Sequence, residues 1–204
     1  MTPQALEHLT RADEVLGALI KKVGPCALKP RRRRSPFEAL VRSVVYQQLN
    51  GTAAATILGR VQALYPNRRF PSPEDLLDTP AERLRSAGLS KAKTAALKDI
   101  AAGVLKGIVP TTRAITKMSN TEIQERLLTL RGVGPWTIEM LLIFTLGRTD
   151  VLPVTDYGVR KGFARTYGWR DLPTPKELLE YGERWRPHRT TAAWYFWRAL
   201  ELPE

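Results

Sequence analysis

The chain has 204 residues, enough for one substantial core or for two small helical subdomains. Its 32 lysines and arginines stand against 20 aspartates and glutamates, and the resulting net charge of +12 points to a polyanionic partner, nucleic acid before a membrane surface. The single cysteine, Cys26, excludes a disulfide framework, a cysteine zinc site and a four-cysteine iron–sulfur cluster carried by this chain alone. Apolar residues at 43% argue against disorder, and stretches such as Met140 to Leu146 fall far short of the ~20 residues a bilayer needs. A soluble, intracellular protein with no membrane partner is expected, nucleoid-associated in a bacterium or nuclear in a eukaryote.

In chain order, apolar spacing predicts an almost entirely α-helical protein. Helices are expected from Leu6 to Val23, from Phe37 to Leu49 with Pro36 in a first-turn position, and from Thr52 to Tyr65. Ser72-Pro73 and Thr79-Pro80 each read as an N-cap followed by proline, and Thr79-Pro80-Ala81-Glu82 has capping-box spacing, with Gly88 closing that helix. Ser90 caps a helix reaching Lys106, and Ser119-Asn120-Thr121-Glu122 is a second capping box, opening a helix with Ile123, Leu127, Leu128 and Leu130 as apolar positions. Further helices are expected from Pro135 to Gly147, Tyr157 to Tyr167, Pro175 to Tyr181 and Arg189 to Leu200. Without repeats, low-complexity linkers or long insertions, residues 1–204 read as one folding unit, open to a bilobed form.

The stretch Leu130-Arg131-Gly132-Val133-Gly134-Pro135-Trp136-Thr137 stops one helix and starts another at once. Glycines there let the backbone approach a phosphate closely, while the next helix offers unpaired N–H groups; an ordinary tight turn would also carry Gly-x-Gly. About twenty residues on, Val151-Leu152-Pro153-Val154-Thr155-Asp156-Tyr157-Gly158-Val159-Arg160 sets a carboxylate at a helix start, a position aspartate also takes as a plain cap. The run Lys29 to Arg34 reads as a solvated loop.

Leu-x-Gly-Val-Gly-x-x-Thr followed by Pro-x-x-Asp resembles the helix-hairpin-helix DNA glycosylases, and within them the DNA-3-methyladenine glycosylase II group. The resemblance spans about residues 35 to 200 and takes in Ser35-Pro36-Phe37-Glu38-Ala39-Leu40-Val41-Arg42, Gln47-Gln48, Gly88-Leu89-Ser90-x-x-Lys93, Gly147-Arg148-x-Asp150-Val151 and Trp185-Arg186-Pro187-x-Arg189 to Trp197. It implies an all-α, two-lobed fold with the hairpin at about residues 121–147 and an interlobe cleft, a monomer acting on damaged double-stranded DNA in base excision repair. Gly132, Gly134 and Thr137 would then hold the DNA backbone, and Asp156 would be the catalytic carboxylate facing a flipped nucleotide. Trp136, Tyr157 and Trp197 match base-pocket positions, though Trp197 also suits core packing.

Gln48 matches the side chain that fills the hole left by the flipped base, with Leu49 and Asn50 beside it as sharers of the role and a plain polar helix end as the other reading. Lys91 and Lys93 are phosphate ligands or solvated lysines. Relatives that also cut the strand carry a lysine where this chain has Trp136, and indole cannot form an imine, so simple hydrolysis is expected. His8 and His188 have no metal-ligand neighbours at convincing spacing, so neither a cofactor nor a catalytic metal is implied. The resemblance implies at most a structural sodium or potassium ion on the carbonyls of Leu128, Leu130 and Val133. Two departures stand out: there is no room before Phe37 for the β-rich domain of some relatives, and Thr155 replaces a second acid. A glycosylase for oxidised or deaminated bases, or a non-enzymatic helix-hairpin-helix DNA-binding module, are the competing readings.

Overall fold

Short polar side chains that take up the first backbone N–H groups set most helix starts in this chain. The computed structural model describes residues 3–203, and all their regular elements are helical. In order these are α1 (Pro3–Ala12), α2 (Glu14–Val23), α3 (Pro36–Tyr46), α4 (Gly51–Ala63), α5 (Pro73–Asp78), α6 (Ala81–Ser86), α7 (Lys91–Leu105) and α8 (Thr112–Ile115). There follow α9 (Asn120–Leu127), α10 (Pro135–Leu141), a wider π-helical turn (Leu142–Leu146), α11 (Tyr157–Tyr167), α12 (Pro175–Tyr181), a 3-10 turn (Gly182–Trp185) and α13 (Arg189–Ala199). Among the described residues no helix is long and apolar enough to cross a membrane.

The described residues divide into two compact units, one of residues 31–141 and one of residues 3–30 with 142–203. In the first, α3 is the central element: Phe37, Ala39, Leu40, Val41, Val44 and Val45 are buried, and it packs on α4, α7 and α10. The helix stops at Tyr46 rather than running to Leu49, because Lys93 reaches from α7 and its Nζ donates to the carbonyls of Val45 and Gln47, both at 2.8 Å. Lys93 is therefore not a freely solvated lysine; burial pushes its ammonium pKa down while the two carbonyls hold it. Arg34, expected in solvent, is largely covered and sits 3.5 Å from Glu38.

Ser72 and Ser119 form the expected caps, each with a reciprocal bond from the third helical residue. Thr79 does not: its hydroxyl donates to the Asp75 carbonyl at 2.7 Å and lies 2.7 Å from the Tyr65 hydroxyl, so α6 starts after Pro80 with no side-chain cap.

In the second unit α2 and α13 flank α11, around an aromatic cluster in which Phe163 meets Tyr167 at 4.4 Å, Tyr181 at 5.0 Å, Trp169 at 5.2 Å and Phe196 at 5.7 Å. The expected helix from Leu6 to Val23 breaks at Asp13. That buried carboxylate accepts from Leu16 N as the cap of α2 (3.0 Å), and from Tyr167 Oη (2.6 Å) and Trp185 Nε1 (2.9 Å). Burial, reinforced by Asp13, pushes the Tyr167 phenol pKa far up.

Candidate active site and nucleic-acid interface

The segment leading to Asp156 is tied down before it reaches the site. Thr190 Oγ1 donates to the Arg148 carbonyl (2.8 Å) and accepts the Val151 N–H (2.9 Å), and Thr190 N donates to the Thr149 carbonyl (3.0 Å). Asp150 is clamped by Arg189 at 2.6 Å and Arg186 at 2.7 Å, which is why two motifs so distant in sequence belong together. Pro153 O then accepts the Asp156 N–H at 3.0 Å, closing the turn that opens α11.

Asp156 caps α11: its Oδ1 accepts from Val159 N at 2.8 Å and also from Trp197 Nε1 at 2.9 Å. Trp197, on α13, is half-buried, and its ring stacks on Phe144 at 5.5 Å with 29° between planes. The two residues expected to form catalyst and pocket wall are thus directly bonded, which fixes the carboxylate's direction. Tyr157 is 63% exposed, with Lys161 Nζ 5.9 Å from its ring centre. Thr155 is exposed. Phe144 was not among the expected residues; it lies in the apolar run Met140 to Leu146, which reads as plain core.

In the other unit, the loop between α9 and α10 makes the hairpin. Gly132 has φ +72°, and a Cβ there would lie 2.7 Å from the Ala96 Cβ, so both conformation and packing on α7 require glycine. Gly134 differs: its φ is not left-handed and a Cβ would meet nothing within 4 Å. Only one of the two glycines turns the chain, and the other faces open space. Gln47 Nε2 staples α3 to this loop, donating to Gly132 O at 2.9 Å and Thr137 Oγ1 at 2.8 Å. Thr137, expected to face DNA, is 1% exposed, and its hydroxyl accepts from Gln47, so its side chain fastens the hairpin instead.

Beyond Gln47 the chain makes a tip. Gln48 is exposed with φ +56°, the one left-handed non-glycine among the described residues. Leu49 is 39% exposed, whereas Asn50 caps α4, its side-chain oxygen accepting from Ala53 N at 2.8 Å. Trp136 is half-buried on the first turn of α10. Of the expected cation ligands, the Leu130 carbonyl accepts the Val133 N–H at 3.2 Å, which uses one of its two lone pairs; Leu128 and Val133 lie on the same loop.

Residues 41–187 match the model of the HhH-GPD superfamily base excision DNA repair proteins. The DNA-3-methyladenine glycosylase 1 of Schizosaccharomyces pombe is 38% identical over 200 residues, covering 97% of this chain and 87% of that protein. The structure of the S. pombe 3-methyladenine DNA glycosylase in complex with abasic DNA superposes with a TM-score of 0.92 at 39% identity, over 98% of this chain and 97% of that one. A DNA-3-methyladenine glycosidase of Bacillus halodurans gives 0.81 at 33% identity, over 97% and 89%. The chain belongs to the HhH-GPD superfamily of base excision DNA repair proteins and, within it, to the DNA-3-methyladenine glycosylase group.

Proposed function

We propose that this chain is a monofunctional DNA glycosylase, acting as a monomer, that hydrolyses the N-glycosidic bond of 3-methyladenine and 7-methylguanine in duplex DNA and leaves an abasic site. The observation that carries the reading is the Asp156 carboxylate, held at the start of α11 by Val159 N and Trp197 Nε1. As the bond from C1′ to the base nitrogen breaks, its electron pair leaves with the base and positive charge develops on the sugar. A fixed carboxylate beside C1′ stabilises that charge and orients the incoming water, whose oxygen bonds to C1′ as its proton passes to solvent.

A purine methylated at N3 or N7 is already cationic, so it departs neutral and requires no general acid. Electron-rich rings at Tyr157 and Trp197 favour such a base through cation–π attraction. Trp136, where strand-cutting relatives carry lysine, offers no amine for a Schiff base. On one gel, 7-methylguanine and 3-methyladenine are expected to be released far faster than hypoxanthine, uracil or 8-oxoguanine, with the strand intact until alkali is added. Faster release of a neutral base would overturn the substrate assignment, and a borohydride-trapped adduct would overturn hydrolysis.

The hairpin supplies the grip and the tip supplies the wedge in this reading. Gly134 faces open space where a phosphate needs close backbone approach, and Gln48, with Leu49 beside it, projects where the flipped base leaves a hole. Neutral carbonyl oxygens at Leu128, Leu130 and Val133 suit a sodium or potassium ion, which would add a positive charge beside that phosphate. Gly134→Ala separates grip from fold. Thermal stability is expected to hold or rise by about 0.4–1 kcal/mol, since the added methyl meets nothing and the unfolded chain loses freedom. Affinity for undamaged duplex, measured by anisotropy across salt concentrations, is expected to fall for all sequences alike. Unchanged affinity would remove Gly134 from the interface.

A further inference from the structure

Among the described residues, nine helix starts, α11 included, are capped by a side chain. At two, α2 and α11, the cap is an aspartate that also receives an indole N–H. Asp13 at α2 is 6% exposed, and there the extra donors satisfy a carboxylate buried in the core. Asp156 is half-exposed, where water serves a capping carboxylate without help and an indole is not required for stability. The Trp197 bond at 2.9 Å therefore calls for another explanation.

Three further features serve that bond. Gly158 makes room for it, since a Cβ would lie 2.9 Å from Trp197 Cδ1 and 3.1 Å from Asp156 Oδ1. Phe144 covers one face of the indole at 5.5 Å and limits its swing. Phe144 itself sits in the π-helical turn Leu142–Leu146, closed by a bond from Arg148 N to Leu142 O at 2.9 Å; such turns are frequent at functional sites. We propose that Trp197, backed by Phe144, is the positioning residue for Asp156: the indole N–H locks the carboxylate in its reactive orientation, beyond any role of the ring as a wall for the base. This rests on the reading of Asp156 as the catalytic carboxylate.

A wall needs the ring; a positioning residue needs the N–H. Replacing Trp197 with 3-benzothienylalanine, which keeps the bicyclic ring and puts sulfur in place of the N–H, separates the two. Single-turnover release of 7-methylguanine from duplex, with enzyme in excess, is expected to slow about ten- to a hundred-fold, the value of a hydrogen bond to a charged group. Duplex affinity and the unfolding temperature are expected to stay at parental values. Phe144→Leu is expected to slow the same step several-fold, a second variant in which the indole N–H is retained but loosened. In an Asp156→Asn background the benzothienyl replacement is expected to add nothing, because both act on one step. A parental rate with the sulfur isostere, or a loss confined to DNA affinity, overturns the positioning role even if Asp156→Asn is inactive. Full activity of Asp156→Asn alone overturns the reading of the carboxylate and the positioning role with it.

Discussion

Asp156→Asn is expected to lower base release by about a thousand-fold while duplex affinity stays within a few-fold of the parent. A full charge about 4 Å from the developing sugar cation contributes about 4 kcal/mol at an effective dielectric of about 20, which is three powers of ten in rate. The amide keeps the shape and the accepting oxygen. Its oxygen can accept from Val159 N and Trp197 Nε1 as Oδ1 does now, and asparagine caps helices about as well as aspartate. Single-turnover excision, anisotropy binding and thermal unfolding on the same preparation separate the three quantities. Excision within ten-fold of the parent would show that the charge is not the catalytic element, and a large fall in the unfolding temperature would show that the cap was the main role.

What could be read from the sequence was what neighbours within a turn or two decide. The serine caps at Ser72, Ser90 and Ser119 and the extent of α11 follow from local side chains, and they stand where local spacing puts them. Local rules failed where a distant group competes for the same atoms. Thr79 has capping-box spacing, but Tyr65 and the Asp75 carbonyl engage its hydroxyl. Asp13 looks like one polar position in an amphipathic run, yet bonds from Tyr167 and Trp185, more than 150 residues on, make it a break. The end of α3 depends on Lys93, 48 residues beyond Val45.

The site divides the same way. Asp156 is legible because a proline turn and a helix start surround it, and the hairpin because glycines punctuate it. The bond from Trp197 to Asp156 joins residues 41 apart on different helices, and no spacing rule reaches that far. Gln47 and Gln48 read as one polar pair, although backbone conformation gives them opposite tasks, one stapling the hairpin and the other exposed at the tip. Gly162 carries no sequence signal at all, since it sits within α11 where alanine has the higher helix propensity.

Gly162→Ala is nevertheless expected to be among the most damaging single-methyl changes in the molecule. A Cβ at 162 would overlap the Phe196 carbonyl oxygen outright and lie 2.5 Å from its carbonyl carbon and 2.9 Å from its Cα. These are main-chain atoms of α13, so no side-chain rotation relieves the overlap and α11 and α13 must move apart. Overpacking of this kind costs about 1–3 kcal/mol where side chains can yield, and here the upper end or more is expected. For a chain of this size that lowers the unfolding temperature by about 6–12 °C. Function is expected to suffer beyond stability, because Phe196 is followed on α13 by Trp197 and Asp156 opens α11, so separation of the helices draws the indole N–H from the carboxylate. Excision is therefore expected to slow even at temperatures where the variant is fully folded. Gly59→Ala is the matched control: it lies within α4, a Cβ there meets nothing within 4 Å, and the same methyl is expected to stabilise by about 0.4–1 kcal/mol. Equal unfolding temperatures for the two variants would show that α11 and α13 are not held in backbone contact at this glycine, and an unchanged excision rate in folded Gly162→Ala would show that their separation does not reach Asp156.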